Sequence, residues 1–287
     1  MDYQPRRSVL FMPVTNARAA EKARSLPCDS IILDMEDAVA VGEKAAARNA
    51  AQDEIKKGGF GARELIIRIN GLDSEWAEDD AASFKHWPDA ILIPKISTAD
   101  DVIAAEALLA KNGAPDHVRL WVMIETPLAI LNIAAIVAEA GEGRRLAALV
   151  AGTNDLAKEL GLALGEDRSA MRTALQMVLL GARAGGLAAI DGVYNDLQDG
   201  DGFARQCAEG ARFGFDGKTL LHPGQIDAAN TAFSPSTDQV AHARRVVKKW
   251  AEAEAAGKGV ATLDGKMIEA LHMEQARAII AIAEKTA

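Results

Sequence analysis

The sequence predicts an α/β protein built on a (β/α)8 TIM barrel, and three observations support this. Short runs of β-branched and aliphatic residues recur eight times, and they are continuous rather than alternating, as in strands buried on both faces of a parallel sheet. An Ala-rich stretch with helical character follows each run, which gives roughly 28 residues per unit, the size of a βαβ repeat. The predicted strands are residues 8–12, 30–35, 64–70, 90–95, 119–125, 146–152, 187–193 and 218–223.

A doubly wound open sheet is the alternative architecture, because it also alternates strands and helices. Such a sheet usually carries a Gly-rich phosphate-binding turn after its first strand. Here that turn reads MPVTNAR and has no glycine. The sequence GARAGG at 181–186 superficially resembles GxGxxG, but it ends a helical segment, so Gly185 and Gly186 are interpreted as a helix C-cap. The barrel is therefore favoured.

The chain is predicted to have two parts, a catalytic barrel over 1–234 and a helical carboxyl-terminal extension over 235–287. Apolar residues at helical spacing follow an N-cap sequence at the start of the extension. A tail of this kind can fold over its own active site or over that of a neighbour. The expected parts are a turn at 234–239, a helix, a mobile Gly-rich connection at 257–266 and a last helix from about Met267 to Lys285.

Composition excludes several classes of protein. The 287 residues include 41 acidic and 32 basic side chains, a net charge of −9 that argues against a nucleic-acid partner. No apolar run approaches the roughly 18 residues of a membrane span, and Pro13 interrupts an amino-terminal stretch too short for a signal peptide. Cys28 and Cys207 form neither a disulfide framework nor a metal cluster. We therefore expect a cytoplasmic protein without a membrane partner.

Polar side chains follow seven successive predicted strands. Active sites of (β/α)8 enzymes are built at the carboxyl ends of their strands. Taken singly, Thr153, Asp37 or Asp155 could be a helix N-cap or a solvated loop residue. The repetition of one pattern at seven strand ends instead predicts an active site. Its candidate members are Asp34, Glu36, Asp37, Arg68, Asn70, Lys95, Glu125, Thr126, Thr153, Asn154, Asp155, Asp191 and His222.

Two of these carboxylates suit a divalent cation. Glu125 and Asp155 are 30 residues apart, about one βα unit, which predicts adjacent strands roughly 5 Å apart. Mg²⁺ is commonly held by one or two carboxylates with water and substrate oxygens, whereas a structural Zn²⁺ requires Cys or His. The five histidines form no HxH or HExxH pattern. The predicted metal is Mg²⁺, with Mn²⁺ as a possibility.

Arginines offer two anion sites. Arg68 follows four apolar residues and needs an anionic partner, either a substrate carboxylate or Glu36 or Asp37, and the two pairings can coexist. Residues 1–28 have five basic and two acidic side chains, which suggests a phosphate patch. A solvated face is the more common explanation of such a cluster. The patch contains Arg6, Arg7 and Arg18.

Eight segments, in order, carry a resemblance to a known family: PRRSVLFMP, DSIILDMEDAV, IIRING, LIPKI, MIETPLAILN, GTNDLAKELG, FGFDGKTLLHPGQI and DGKMIEALHMEQA. They resemble the citrate lyase beta subunit and malyl-CoA lyase family of the HpcH/HpaI aldolase superfamily. The resemblance implies a (β/α)8 barrel, assembled as a homotrimer or a dimer of trimers, that cleaves or forms a carbon–carbon bond between an acyl thioester and a 2-oxo acid. It implies that Glu125 and Asp155 hold Mg²⁺ and that Arg68 contacts the oxo acid.

The resemblance also implies that the carboxyl-terminal segment acts as a lid over a neighbouring subunit's site. In such lyases an Asp within an MID sequence on the lid is the acid or base. Here the sequence is MIE, so Glu269 stands at that position, and Asp264 in LDGK is a nearby carboxylate. A second departure is Val14, where the family usually has Gly near the expected CoA nucleotide.

The predicted function is that of a Mg²⁺-dependent lyase acting on a 3-hydroxyacyl-CoA such as malyl-CoA or citramalyl-CoA, with acetyl-CoA and a 2-oxo acid as products. Three alternatives remain: cleavage of a citryl thioester on an acyl-carrier protein, a 2-oxo-acid aldolase that uses no thioester, and a non-catalytic CoA-binding protein. The predicted roles are catalysis by Arg68, Glu269 and Asp264, substrate binding by Arg68, Glu36, Asp37 and Lys95, and CoA binding by Arg6, Arg7 and Arg18.

Overall fold

The computed structural model describes residues 4–163, 165, 167–257 and 259–286. The chain divides into two compact units, of which one is Arg6–Asn230 and the other runs from Thr231 onward and includes the residues that precede Arg6. Among the helices of the described residues, none has both the length and the apolar character required to cross a bilayer.

The first unit is a closed barrel of eight parallel strands in sequence order, with β8 paired to β1. This confirms the predicted (β/α)8 fold and all eight predicted strands. The structure has the strands β1 Ser8–Pro13, β2 Ser30–Asp34, β3 Glu64–Arg68, β4 Ala90–Ile93, β5 Arg119–Ile124, β6 Leu146–Ala151, β7 Ala188–Asp191 and β8 Gly217–Leu220.

Helices follow the strands, as the Ala-rich segments predict. Several begin at residue types that favour N-caps: Asn16, Thr98 and Thr126 each accept a backbone N–H with their side chain. The helices up to the end of this region are α1 Ala17–Ala23, α2 Lys44–Lys57, α3 Ala77–Ala82, α4 Ala99–Lys111, α5 Pro127–Leu131, α6 Ile133–Ala138, α7 Thr153–Leu160, α8 Arg172–Ala184, α9 Gly200–Phe213 and α10 Ile226–Ala232.

The barrel interior is an apolar cluster to which seven strands contribute. Its member Trp121 is fully buried, and paired residues of neighbouring strands, such as Ile32 and Ile66, pack in the same cluster. Such layers fill a small barrel instead of leaving a pore. Because the interior is solid, polar chemistry is confined to the strand ends, and the carboxyl ends of all eight strands meet at one mouth.

The second unit contains α11 Thr237–Ala255, a hairpin of β9 Ala261–Leu263 and β10 Lys266–Ile268, and α12 Ala270–Thr286. Ser236 caps α11 with Gln239 in a capping box, as its sequence suggests. Ala243, Val246, Ile268 and Ala276 form its buried cluster.

The hairpin corrects the prediction that 257–266 is only a connection, while its mobility stays a prediction; Lys258 lies outside the described residues. Asp264 and Gly265 both adopt positive φ, 51° and 76°, as a two-residue hairpin turn requires. The sequence Asp-Gly is a strong signal for this turn and could have predicted it. Since β10 occupies 266–268, the last helix begins at Ala270 and not near Met267.

Candidate active site

A cavity of about 400 Å³ lies in the barrel unit and is lined by residues at or just after the carboxyl ends of the strands. It brings together predicted residues from β2, β3, β5 and β6, which are far apart in the sequence. Apolar side chains, including Phe11, Met123 and Val193, form part of its wall. The polar residues that line it are Asp34, Asp37, Arg68, Glu125, Thr153, Asn154, Asp155 and Thr219.

Arg68, the last residue of β3, forms a bidentate ion pair with Asp34, the last residue of β2. Its Nε and Nη2 donate to the two Asp34 carboxylate oxygens at 2.7 and 2.6 Å. The register of the parallel strands places these two residues side by side. Burial alone would lower the pKa of Arg68. The hydrogen bonds and charge of the Asp34 carboxylate outweigh burial, so the pKa of Arg68 is raised above its ordinary value. Arg68 is therefore a permanently charged, fixed guanidinium.

The expected structural partners of Arg68 are also present. Its Nη1 lies 2.9 Å from Glu36 and 3.4 Å from Asp37, and its guanidinium stacks over Phe11, 4.9 Å from the ring centre. Asp34, which was not among the partners expected for Arg68, is nevertheless the principal one. The alternation of side chains on neighbouring strands is the signal that could have identified it.

Glu36 is buried and links the two cations of the site. Its carboxylate is 2.9 Å from Arg68 Nη1 and 3.4 Å from Lys95 Nζ, and burial raises its pKa. The Glu36 loop is fixed by Lys44, whose three ammonium protons have three acceptors: the carbonyls of Met35 at 2.9 Å and Glu36 at 2.8 Å, and Asn70 Oδ1 at 2.7 Å. Lys44 and its role in the site were not predicted from the sequence.

Lys95 contributes its backbone as well as its side chain. It adopts a left-handed conformation with φ of 58°, and its N–H donates to Glu125 Oε1 at 2.7 Å. This conformation costs a residue with a side chain about 1 to 2 kcal/mol. Local strain of this kind is often found at functional sites. Here the strained conformation directs the Lys95 backbone N–H toward the Glu125 carboxylate.

Glu125 follows β5 and is almost completely buried. Burial raises the pKa of Glu125 to about 7, and the charges of Glu36 and Asp155 act in the same direction against the opposing Lys95 N–H. Gly152 packs directly on this side chain, and a Cβ at position 152 would overlap the Glu125 carboxyl group. The glycine therefore makes the space that the carboxylate occupies.

Asp155 reaches the same cavity from a helix. β6 ends at Ala151, and α7 begins at Thr153, so Asp155 is in the first turn of the helix and not at the strand end itself. A carboxylate is favoured there by the helix dipole. β5 and β6 are adjacent, which agrees with the predicted proximity of Glu125 and Asp155.

The donor set fits a hard divalent cation. Within the described residues, no group of three or more His, Cys, Asp or Glu side chains could hold a metal. A structural zinc site is therefore not supported, whereas Mg²⁺ needs only one or two carboxylates and takes its other ligands from water and substrate. Glu125 and Asp155 line one cavity, and a divalent cation held by them would offset the burial that raises the pKa of Glu125.

Asp191 was expected at the site, but it belongs to a buried ion cluster. Its carboxylate accepts from Lys218 Nζ at 3.0 Å and from Arg168 Nη1 at 2.6 Å, and both Asp191 and Lys218 are fully buried. Burial alone would raise the pKa of Asp191, but the charges of Lys218 and Arg168 outweigh burial and lower this pKa. Asp191 thus ties β7 to β8. His222 likewise has a structural contact, because its Nδ1 accepts the backbone N–H of Gly224.

Two of the arginines predicted to bind CoA lie at the opposite end of the barrel. Arg6 pairs with Glu64, the first residue of β3, at 2.7 Å, and Arg7 pairs with Asp29, which precedes β2, at 2.8 Å. These contacts are at the amino-terminal ends of the strands, away from the cavity, and CoA binding by Arg6 and Arg7 stays a prediction that this placement does not favour. Arg18 is exposed on α1, which follows the carboxyl end of β1, and its role stays a prediction.

The two carboxylates predicted for the lid are in the second unit. Asp264 pairs with Arg245 at 2.8 Å, and Glu269 is exposed immediately before α12, where its N–H donates to His272 Nδ1. Their part in the chemistry stays a prediction.

The fold and the cavity define a (β/α)8-barrel enzyme with an acidic site at the carboxyl ends of its strands. The model of the family described as HpcH/HpaI aldolase/citrate lyase matches residues 7–223, and the chain belongs to this family. Members of the family include carbon–carbon lyases such as the citrate lyase beta subunit.

Three known proteins illustrate this relationship. A (3S)-malyl-CoA thioesterase of Cereibacter sphaeroides is 48% identical over 284 residues, which cover 99% of this chain and 96% of the relative. The citrate lyase subunit beta of Escherichia coli is 34% identical and covers 97% of this chain and 93% of its own. The crystal structure of CitE from Mycobacterium tuberculosis with magnesium, acetoacetate and coenzyme A has a TM-score of 0.76 at 26% identity, over 99% of this chain and 100% of that chain.

Proposed function

We propose that this enzyme hydrolyses the thioester of malyl-CoA, or of a closely similar 3-hydroxyacyl-CoA, in a reaction that depends on Mg²⁺. The observation that carries the proposal is the 48% identity, across nearly the whole of both chains, to a (3S)-malyl-CoA thioesterase. The magnesium and coenzyme A bound by CitE, which has the same fold, support the same class of ligands.

The charges of the site suit this substrate. The carboxylates of Asp34, Glu36, Asp37, Glu125 and Asp155 outnumber the cations of Arg68 and Lys95, so the region attracts a divalent cation. Glu125 and Asp155 would hold Mg²⁺ or Mn²⁺. When bound, the metal supplies Lewis acidity to substrate oxygens.

The chain's own residues bind and orient the acyl group. Arg68 is already fixed by Asp34, so it offers a charged hydrogen-bond donor to an acyl carboxylate or a developing oxyanion with little loss of side-chain freedom. Lys95 carries a second positive charge at the same edge, and Lys95 and Asp37 are the exposed members of the cluster. Phe11 and Met123 provide apolar walls that limit water around the acyl group.

Further parts of the proposal concern regions beyond the cavity. Arg18 is proposed to pair with a CoA phosphate, and a lid carboxylate, Glu269 or Asp264, to move a proton. The protein is proposed to be a homo-oligomer, a trimer or hexamer of 30.4 kDa chains, which light scattering would measure.

Carbon–carbon cleavage is the second candidate, because the family includes citrate lyase and the aldolases. In that reaction malyl-CoA gives acetyl-CoA and glyoxylate. If the thioester were carried by an acyl-carrier protein, as the likeness to a citrate lyase subunit suggests, activity would require the carrier-bound substrate.

One assay separates these candidates. Purified enzyme is incubated with malyl-CoA and Mg²⁺, free CoA is detected with a thiol reagent, and glyoxylate is trapped with phenylhydrazine. Free CoA without glyoxylate supports hydrolysis, whereas glyoxylate without free CoA supports the lyase. Silence with CoA esters but activity with a carrier-bound citryl ester would favour the carrier-protein reaction.

Two controls test the assigned metal ligands. EDTA is expected to abolish the signal, and added Mg²⁺ or Mn²⁺ to restore it. Glu125→Gln is expected to be inactive, while Glu142→Gln, the same change at an exposed loop position, keeps full activity. Full activity of Glu125→Gln would overturn the metal assignment.

A further inference from the structure

A second cavity, of about 360 Å³, adjoins the site cavity. Its walls come from described residues between α7 and α8, from the loop after β7 and from α9. Thr153 and Val193 line both cavities, so the two spaces share a wall at the start of α7.

Three buried polar atoms of residues in its walls lack hydrogen-bond partners among the described residues: Thr153 Oγ1, Gln206 Oε1 and Arg168 Nη2. Arg168 Nη2 lies 2.9 Å from the Glu209 carboxylate, so the two oxygens are the atoms left for an occupant, and their residues are only 4% and 3% exposed. Buried polar groups almost always have a partner from the protein or from ordered water. Two such atoms around one cavity therefore indicate an occupant that forms hydrogen bonds.

The charges of the lining exclude an anion. Asp167, Asp196 and Asp199 contribute carboxylates to the wall. Arg168 also lines the cavity, but its guanidinium donates to Asp191 at 2.6 Å and to Glu209 at 3.0 Å. A substrate carboxylate or a CoA phosphate would be repelled, whereas water can form hydrogen bonds with both unpartnered oxygens.

We propose that the second cavity holds water and supplies the water molecule that hydrolyses the thioester, with Thr153 as the positioning residue at the junction. This inference rests on the proposed hydrolysis. At about 30 Å³ per molecule, the space accommodates on the order of ten waters. Thr153 Oγ1 can accept from one water and donate to the next, because a hydroxyl does both.

The chemical step balances without another reactant. The water oxygen forms a bond to the thioester carbonyl carbon, the carbon–sulfur bond breaks, and its electron pair leaves with sulfur. Of the two water protons, one ends on the CoA sulfur and the other is released, since the new carboxylate is ionised near neutral pH. The products are the free acid and CoA.

The backbone around Thr153 holds its hydroxyl at the junction. Gly192 lies directly against Thr153, and a Cβ at position 192 would overlap both Thr153 Oγ1 and its methyl group. The carbonyl of Gly192 in turn accepts from Lys218 Nζ. The buried ion cluster of Asp191 therefore fixes the wall on which Thr153 packs.

Thr153→Val and Gln206→Met test the proposal, because each removes a hydrogen-bonding group with little change in volume. Thr173→Val and Gln176→Met, at exposed positions of α8, are the matched controls. We expect Thr153→Val to lower kcat for release of free CoA about tenfold, the equivalent of one hydrogen bond, with KM and Mg²⁺ affinity unchanged. Gln206→Met is expected to act in the same direction, and both controls match wild type.

Thermal unfolding provides the second readout. If water partners the two groups, each variant loses hydrogen bonds and its Tm falls by about 2 to 4 °C. A Tm that rises or stays level would mean a dry cavity and would overturn the proposal, as would an unchanged kcat. If wild type releases glyoxylate and no free CoA, the proposed hydrolysis fails, while the Tm comparison still decides whether the cavity holds water.

Discussion

Asp34 binds Arg68 through both of its carboxylate oxygens, at 2.7 and 2.6 Å, and so joins the carboxyl ends of β2 and β3. Asp37 also reaches Arg68, but at 3.4 Å and with a side chain that is 66% exposed. Besides the buried Glu36 at 2.9 Å, the same guanidinium thus has a buried partner that it binds through two hydrogen bonds and an exposed partner at longer distance.

This difference predicts unequal effects of removing each charge. Asp34→Asn leaves a buried guanidinium without its main partner, which is expected to lower the free energy of unfolding by about 3 kcal/mol and to weaken substrate binding. Asp37→Asn is expected to change stability by less than about 0.5 kcal/mol. Urea unfolding of both variants measures the difference, and equal losses would contradict the assignment.

The raised pKa of Glu125, about 7, predicts a pH dependence of metal-free stability. The folded protein holds this proton more tightly than the unfolded chain, so the contribution is present below the ordinary pKa near 4.5 and is lost as pH rises through about 7. The loss is on the order of 3 kcal/mol. Denaturant unfolding at pH 4.5 and pH 8 in EDTA measures it.

Glu125→Gln is the control, because an amide does not titrate, and its stability should not show this loss.

In the wild type, Mg²⁺ competes with the Glu125 proton, so the affinity measured by calorimetry should fall about tenfold per pH unit below 7. A Mg²⁺ affinity that is flat between pH 6 and pH 8 would argue against Glu125 as a ligand.

Gly152→Ala is predicted to disrupt the site without touching a charged residue. The new Cβ would overlap the Glu125 carboxyl group, so that carboxylate must move. We expect Mg²⁺ affinity to fall at least tenfold, together with activity, as measured by calorimetry and the free-CoA assay. Gly42→Ala, where a Cβ meets no atom within 4 Å, should leave Mg²⁺ affinity unchanged.

The placement of the arginines predicts which of them affects CoA. Arg18→Gln is expected to weaken CoA binding about fivefold at low salt, with the difference lost at high salt, as for an exposed ion pair. Arg7→Gln should leave CoA affinity unchanged, because Arg7 pairs with Asp29 at the other end of the barrel. Titration calorimetry with free CoA tests both, and a loss in Arg7→Gln alone would reverse the assignment.

The fold could be predicted from the sequence because each buried strand is a short continuous apolar run, and the repeat length is set by one strand and one helix. The same regularity places Arg68, Glu125 and Asp155 at the mouth of the barrel. These positions depend only on the strand ends, which the apolar runs mark.

Other features depend on contacts that no local pattern encodes. Lys44 reads as an ordinary helical lysine, yet its ammonium group fixes the Glu36 loop through three acceptors from two segments of the chain. The count of basic residues grouped Arg6 and Arg7 with Arg18. However, β1 runs between Arg7 and Arg18, so Arg18 lies at the opposite end of the barrel from the other two. A charge count along the sequence does not show at which end of a strand each residue lies.

The pairing of β1 with β8 also bears on how the chain is made. Leu10 pairs with Leu220, and Gly217 lies so close to the carbonyl of Arg6 that a side chain there would not fit. At about 5 to 20 residues per second, a ribosome needs roughly 10 to 40 s between these two strands. Throughout that interval β1 is an open strand edge, which makes the nascent chain a target for chaperones and for pairing with another copy.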